Sequence, residues 1–212
     1  MTPVRAKSPA KRPASEAARR LDRAQSLLLI VDIQERLAPH ILHGESLIAR
    51  SGALLAAARR FGIPAMVTEH CSDQIGAIVA GLRRQLSAGE IFEKTRFGAA
   101  DHPEFVARLE AESRNQIIVA GIEAHVCVLQ TVLGVTALGY AVTLAGDAVG
   151  SRSARQDDRR FALDRMRRAG VVIAGTETVL FEWTHAADDP AFRDVLALVK
   201  SLPPADDGDG PG

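Results

Sequence analysis

Short apolar runs alternate with longer amphipathic segments along most of this chain, and no other feature restricts its fold as strongly. Residues 27–31 and 116–120 are rich in branched apolar side chains and have the length of buried strands. Between such runs, apolar residues recur at helical spacing, as in residues 45–61 before Gly62. Strands that alternate with helices are typical of right-handed crossover units around a parallel sheet. The pattern therefore predicts an α/β three-layer sandwich, with six mainly parallel strands and helices on both faces.

The same pattern predicts the bounds of the individual elements. Strands are predicted over residues 27–31, 64–68, 91–93, 116–120, 140–145 and 171–174. Helices are predicted over residues 45–61, 76–86, 103–112, 126–138, 155–168, 176–180 and 190–202. Pro103 suits the first turn of its helix, because that position needs no hydrogen-bonding N–H.

Charge and composition divide the chain into three parts. Residues 1–23 hold seven basic and two acidic side chains without an apolar signal core, and we predict a disordered basic leader, with an organellar transit peptide as the alternative. Residues 203–212 combine aspartate, glycine and proline and are predicted to be a disordered acidic tail. The folded domain is expected over residues 24–202. Basic and acidic residues number 26 each, so we expect neither nucleic acid nor a membrane as a partner.

The cysteine content indicates a reducing compartment. Cys71 and Cys127 are the only cysteines, too few for a secreted disulfide framework. No apolar run approaches the ~18 residues of a membrane span. We therefore expect a cytoplasmic protein with reduced thiols.

Cys127 is the first candidate for chemistry. It follows the predicted strand 116–120 and opens the predicted helix 126–138. The positive end of a helix lowers the pKa of a thiol from its usual ~8.5 and so favours a reactive thiolate. The alternative is that Cys127 is a small buried apolar residue.

Two further polar residues are predicted to meet Cys127. Asp32 follows the first strand and Lys94 follows the third. An open parallel sheet binds ligands outside the carboxyl ends of its strands, so these three residues are expected to converge there. Taken singly, Asp32 could merely cap a turn and Lys94 could be a solvated cation.

Three blocks, residues 28–34, 93–98 and 121–131, resemble the signature segments of the isochorismatase-like cysteine hydrolases in order, spacing and identity. The resemblance implies that Cys127 is the nucleophile, Asp32 the acid/base carboxylate and Lys94 the third catalytic residue. The implied reaction is hydrolysis of a small amide or carbamoyl C–N bond through a thioester.

The resemblance also implies an unusual backbone ahead of the nucleophile. A cis peptide between Ile122 and Glu123 would direct the backbone N–H of Glu123, with that of Cys127, at a shared oxyanion. His125 lies between these two residues and is interpreted as structural.

We expect no metal and no cofactor. The nicotinamidase branch of the family carries an Asp-x-His pair with a further histidine, whereas this chain has His70, Cys71 and Asp73 without a fourth ligand at a recognised spacing. The resemblance therefore points to the metal-free, non-nicotinamidase branch. His70 is then interpreted as a residue that lines the pocket.

The substrate is expected to be a small molecule, but the sequence does not name it. Gln34, Leu37, His70 and Phe97 lie just beyond strand ends and are the predicted pocket residues.

Two other functions stay open at this point. A thiol redox protein would pair Cys127 with Cys71, and a catalytically silent scaffold would act through its oligomer surface. Phe181 and Trp183 could anchor a subunit contact or simply cover the sheet edge. The resemblance implies a homo-oligomer without giving its number.

Overall fold

A computed structural model describes residues 20–204 and contains one six-stranded sheet. Strands β1 to β6 comprise Ser26–Val31, Ala65–His70, Ile91–Lys94, Gln116–Ile122, Ala141–Gly150 and Val172–Ala174. Their spatial order is β3-β2-β1-β4-β5-β6, and every neighbouring pair is parallel. The predicted α/β three-layer fold is thereby confirmed.

Eight α-helices accompany the sheet within residues 20–204. Helices α1 to α8 comprise Gly44–Phe61, Ser72–Ile75, Ala80–Arg83, Pro103–Ala111, Leu129–Ala137, Gln156–Arg168, Thr176–Thr184 and Phe192–Ser201. A π-helical turn, Ala124–Val128, precedes α5. The longest helix, α1, ends at Gly62, whose φ of 64° is left-handed and suits glycine.

The sheet separates two apolar cores, and β1 contributes to both. Leu28 and Ile30 face the core beneath α1, α7 and α8, whereas Leu27 and Leu29 face the core beneath α4, α5 and α6. Successive strand residues point to opposite faces, so a strand covered on both sides must be apolar throughout. That requirement explains the continuous apolar run that predicted β1.

Two predicted elements differ most from the structure. β5 continues to Gly150, five residues beyond the predicted end, while β6 pairs only with residues 143–145. Residues 76–86 form only the short helix α3. Ile78 instead makes a β-bridge with Gln34, and its N–H donates to the Glu69 carboxylate at 2.8 Å.

Both predicted terminal regions include residues that contact the folded domain. Leu21 is 7% exposed, and its N–H donates to Glu182 at 2.9 Å. At the other end, the carbonyl of Pro203 accepts a hydrogen bond from Arg50 at 2.9 Å. The rest of the predicted leader and tail, residues 1–19 and 205–212, lies outside the described residues.

Two other observations concern surfaces. Trp183 is fully buried, and its Nε1 donates to Ser26 at 3.0 Å, so it belongs to the core and is not available for a subunit contact. Between residues 20 and 204, no helix has both the length and the apolar character needed to cross a membrane.

Candidate active site

Asp32, Lys94 and Cys127 meet at the carboxyl edge of the sheet. Asp32 directly follows β1, Lys94 ends β3, and Cys127 lies in the π-helical turn after β4. Lys94 Nζ lies 2.7 Å from Asp32 Oδ2. Both charged groups also act on the Cys127 thiol through their charge. The structure therefore brings the three residues into one cluster.

A left-handed backbone at Asp32 aims its carboxylate at this cluster. By strand alternation, Asp32 would share the face of Leu28 and Ile30, opposite Cys127. Its φ of 51° breaks the alternation at the end of β1. Thr68 then holds the carboxylate, because its hydroxyl donates to Oδ1 at 2.6 Å. Aspartate tolerates this conformation better than most residues do.

Every donor of the Lys94 ammonium has an acceptor. Besides Asp32, it donates to the carbonyl oxygens of Phe97 at 3.1 Å and Arg96 at 3.3 Å. An ammonium has three N–H donors, so all three are used. The side chain is fully buried, and it is therefore a member of a fixed network, in contrast to a solvated cation.

Cys127 is held as a neutral thiol in the resting structure. It is 7% exposed and forms no disulfide. Burial raises the pKa of the thiol, the negative charge of Asp32 raises it further, and Lys94 opposes both effects only in part. The expected lowering of the thiol pKa was wrong, because burial and the charge of Asp32 outweigh any effect of the helix N-terminus.

The turn that carries Cys127 is anchored by Glu123. The peptide bond between Ile122 and Glu123 is cis. The Glu123 carbonyl accepts hydrogen bonds from the N–H groups of Val126 and Val128, at 3.1 and 3.2 Å. Its carboxylate accepts two from Arg152, from the backbone N–H at 3.1 Å and from Nε at 2.9 Å. The side chain thus holds the end of β4 to the segment after β5.

Gly121 allows β4 to approach β1 closely at this edge. Its φ is 140°, and a Cβ atom there would lie 2.2 Å from the carbonyl oxygen of Val31. No larger residue fits without moving the backbone that carries Asp32. The glycine therefore sets the spacing between the two strands that position Asp32 and Cys127.

Two of the predicted pocket residues have structural contacts. Gln34 is fully buried, and its amide accepts from His70 N–H at 2.7 Å and donates to the carbonyls of His70 at 3.1 Å and Gly76 at 2.6 Å. These bonds engage its oxygen and its nitrogen, so Gln34 braces the end of β2 and has no group turned to a ligand. Leu37 is partly buried and packs against the core beneath α1.

The other two predicted pocket residues form the rim of the cluster. The rings of His70 and Phe97 lie 5.2 Å apart, centroid to centroid, at an angle of 33°. Phe97 is 49% exposed, while its carbonyl binds Lys94. Burial lowers the pKa of His70, and the charge of Lys94 lowers it further, against a smaller opposing effect of Asp32.

The residues considered as metal ligands do not converge. His70 stacks on Phe97, whereas Cys71 and Asp73 line a cavity of about 400 Å³ together with Glu93, Lys94 and His102. Within residues 20–204, no three His, Cys, Asp or Glu side chains are grouped closely enough to hold a metal ion. These donors therefore do not fit the metal found in the nicotinamidase branch.

A second cavity lies away from the cluster. It measures about 710 Å³ and is lined by β5, α1 and α6, with Arg50, Asp147 and Arg159 among its residues. One of its lining residues, Ser151, contacts the turn of Cys127, because its hydroxyl lies 2.9 Å from His125 Nδ1. This bond agrees with a structural role for His125.

Sequence reasoning missed Thr68 and Arg152. Thr68 lies two residues before the end of β2, so the rule for strand ends that selected Asp32 could have found it. Arg152 follows β5, but the predicted end of that strand lay five residues too early. No local signal indicated the longer strand.

Comparisons with known proteins agree on one family. The Isochorismatase domain model matches residues 26–178. An isochorismatase domain-containing protein 1 of Danio rerio is 34% identical over 87% of this chain, which spans only 64% of that relative's length. The structure of the MAR1 ribonuclease of Caenorhabditis elegans has a TM-score of 0.83 and 35% identity, over 91% of this chain and 98% of its own. YcaC of Pseudomonas aeruginosa, solved with hexane-2,5-diol and covalent acrylamide, has a TM-score of 0.77 and 26% identity, over 84% and 91%.

Proposed function

We propose that this chain, which belongs to the isochorismatase family and has its hydrolase fold, hydrolyses a small amide or carbamoyl C–N bond through a thioester on Cys127. The observation that carries the proposal is the buried Asp32–Lys94 pair acting on a free thiol. A buried ion pair seldom adds stability over apolar packing, so a chemical use is a better explanation of its presence. We assign the activity to the domain of residues 24–202.

The first step joins the thiol to the substrate. Asp32 accepts the S–H proton as the sulfur attacks the carbonyl carbon, so a thiolate forms only during attack. A new C–S bond forms, and the C=O electron pair moves to oxygen. The backbone N–H groups of Glu123 and Cys127 donate to that oxyanion, a contact worth about 2.7–4 kcal/mol per donor in other hydrolases.

The second step expels the amine. The C=O bond re-forms, the C–N bond breaks, and protonated Asp32 transfers its proton to the departing nitrogen. Lys94 stays charged throughout and holds the carboxylate in place. The result is an amine, or ammonia, and an acyl group on Cys127.

Water completes the cycle. Asp32 takes a proton from the water molecule, whose oxygen attacks the thioester carbon. The C–S bond breaks, and the proton returns to the sulfur. One water molecule is consumed for each carboxylic acid and amine released, and the thiol is regenerated.

The presence of a nucleophile in the family is supported by a relative. The Pseudomonas aeruginosa YcaC structure was determined with covalent acrylamide, an electrophile whose vinyl carbon adds to nucleophiles such as thiols. The redox alternative has less support. Cys71 follows β2 and Cys127 follows β4, and β1 lies between these strands, which separates them by roughly 9–10 Å. A disulfide needs Cα atoms within about 7 Å.

A substrate panel read with matched variants tests the proposal. Primary amides, N-carbamoyl amino acids, methyl esters and single-stranded RNA are incubated with the wild type, Cys127→Ala and Cys71→Ala. We expect turnover of an amide or carbamoyl compound that Cys127→Ala abolishes and Cys71→Ala retains. Mass spectrometry of a quenched reaction should find the acyl group on Cys127.

Three outcomes would contradict the proposal. Amide turnover that survives in Cys127→Ala would show that Cys127 is not the nucleophile. RNA cleavage without amide turnover assigns a different reaction, as the name of the C. elegans protein indicates for that protein. A Cys71–Cys127 disulfide after peroxide treatment, with no hydrolysis, supports the redox function. A homo-oligomer and the absence of a cofactor stay predictions, which light scattering and elemental analysis test.

A further inference from the structure

His70 lies on the same side of the sheet as the Cys127 cluster. It alternates with Thr68, whose hydroxyl binds Asp32, so both side chains leave β2 on one face. Its Cα is paired with that of Lys94 across β2 and β3. The imidazole therefore borders the cluster, beneath the exposed ring of Phe97.

Nδ1 of His70 is buried without a hydrogen-bond partner. The backbone of Arg96 also interacts with this ring. Because Nδ1 has no partner, we assign the Arg96 contact and the ring N–H to Nε2. Because burial and Lys94 lower the pKa of this histidine, the ring is neutral at pH 7 and Nδ1 presents a lone pair.

An unpaired acceptor in a protein interior is costly, and a catalytic or binding role is one recognised reason for keeping such a group. The other polar groups of the cluster already have partners. Lys94 uses its three donors, and the two oxygens of Asp32 accept from Thr68 and Lys94. Nδ1 is thus an acceptor held ready at the edge of the site.

We propose that Nδ1 of His70 accepts a hydrogen bond from an N–H group of the substrate, so that the site selects primary amides and ureido compounds over esters of the same acyl group. This inference rests on the proposed function and names its substrate class. An ester has no N–H donor and would leave Nδ1 unpaired in the complex. Phe97 is 49% exposed, and we expect its ring to rotate away when the substrate enters.

Binding can be tested without turnover. The Cys127→Ala protein is labelled with ¹⁵N in its histidine rings and titrated with propionamide, N-carbamoylglycine or methyl propionate. We expect the Nδ1 resonance of His70 to move with the two N–H compounds and to stay in place with the ester. A resonance that no N–H compound moves, or that the ester moves equally, overturns the inference.

Kinetics provide an independent test. The two substrates are an amide that the wild type turns over and the methyl ester of the same acyl group. In His70→Leu, the amide-to-ester ratio of kcat/KM should fall about tenfold or more, the effect of losing one buried hydrogen bond. In His70→Asn, whose Oδ1 can replace Nδ1, the ratio should stay within about threefold of the wild type. A merely structural role would lower both reactions together and leave the ratio unchanged.

His185→Asn is the matched control, because His185 is exposed at the end of α7. It should leave the ratio unchanged. An unchanged ratio in His70→Leu overturns the inference while the thioester mechanism stands, provided that Cys127→Ala is inactive. If the wild type binds amides through His70 but hydrolyses none of them, the proposed function is contradicted, whereas the proposed contact with His70 stands.

Discussion

Two ion pairs lie at the carboxyl edge of the sheet, and they differ in their access to water. Asp32–Lys94 connects the ends of β1 and β3, with both side chains at most 1% exposed. Glu123–Arg152 connects the end of β4 to the segment after β5, and the Arg152 side chain is 46% exposed. The first pair is fully desolvated, whereas water screens the second. We infer that the first is retained for chemistry and the second for position.

Removing one member of the buried pair should have the largest effect on stability and on turnover. Lys94→Met leaves the Asp32 carboxylate buried without its counter-charge, which should lower the free energy of unfolding by about 3–5 kcal/mol and abolish turnover. Urea unfolding and the amide assay measure the two effects. The double variant Asp32→Asn with Lys94→Met removes both charges and should regain much of the stability, but no activity. Equal losses in the single and double variants would show that the charge is not the cause.

The second largest loss of stability is expected from a steric change at Gly121, which lies between the two ion pairs. Gly121→Ala places a methyl group against Val31 at a φ of 140°, and we expect a loss of about 3 kcal/mol. Gly139→Ala shares the positive φ but has no atom within 4 Å, so about 1 kcal/mol is expected there. Gly81→Ala has neither feature and should not destabilise the protein, because Gly81 lies in α3, where alanine is favoured over glycine. Similar losses at residues 121 and 139 would show that the close approach of β4 to β1 is unimportant.

Burial of the Cys127 thiol beside Asp32 should also make the free energy of unfolding depend on pH. Since the pKa of the thiol is raised in the folded state, the unfolded chain releases this proton first, above its pKa of ~8.5. The stabilising effect is complete below that pH and declines above it, by about 1.4 kcal/mol per pH unit. Unfolding of the wild type and Cys127→Ala between pH 7 and 10 isolates the slope. Cys71→Ala should keep it, and parallel curves for the wild type and Cys127→Ala would contradict the raised pKa.

The smallest effect on stability is expected at the exposed pair. Arg152→Met should lower the free energy of unfolding by about 1 kcal/mol or less, because water screens the guanidinium. It should still lower kcat about tenfold, since Glu123 would no longer hold the proposed oxyanion peptide firmly. Arg155→Met, which removes another exposed guanidinium nearby, is the control and should change neither quantity. A stability loss as large as that of Lys94→Met would remove the distinction between the pairs.

The strands next to the site were the most predictable part of the fold. β1 and β4 are buried on both faces, so their apolar runs could be recognised without knowing their neighbours. The end of β5 was not predictable in this way. Residues 146–150 lie beyond the short strand β6 and are held in part by Arg159, which donates to the carbonyls of Gly146 and Val149 at 3.0 and 3.2 Å.

The proposed site also has a part that the sequence predicts and a part that only the fold reveals. That Asp32, Lys94 and Cys127 would lie near one another follows from their places at the ends of parallel strands. The role of Gln34 does not follow from its place, because only the fold brings the backbone of His70 and Gly76 to its amide. The catalytic roles of Asp32, Lys94 and Cys127 and the binding roles of the pocket residues stay predictions.

From the sequence alone, periodicity and strand-end position determined the α/β architecture and the edge of the sheet where polar residues gather, because both depend on local spacing. Only the tertiary structure decided the left-handed turn that aims Asp32, the protonated state of Cys127 and the unpaired nitrogen of His70. Those properties arise from burial and from charges contributed by strands distant in the sequence, and electrostatic interactions depend on distance in space.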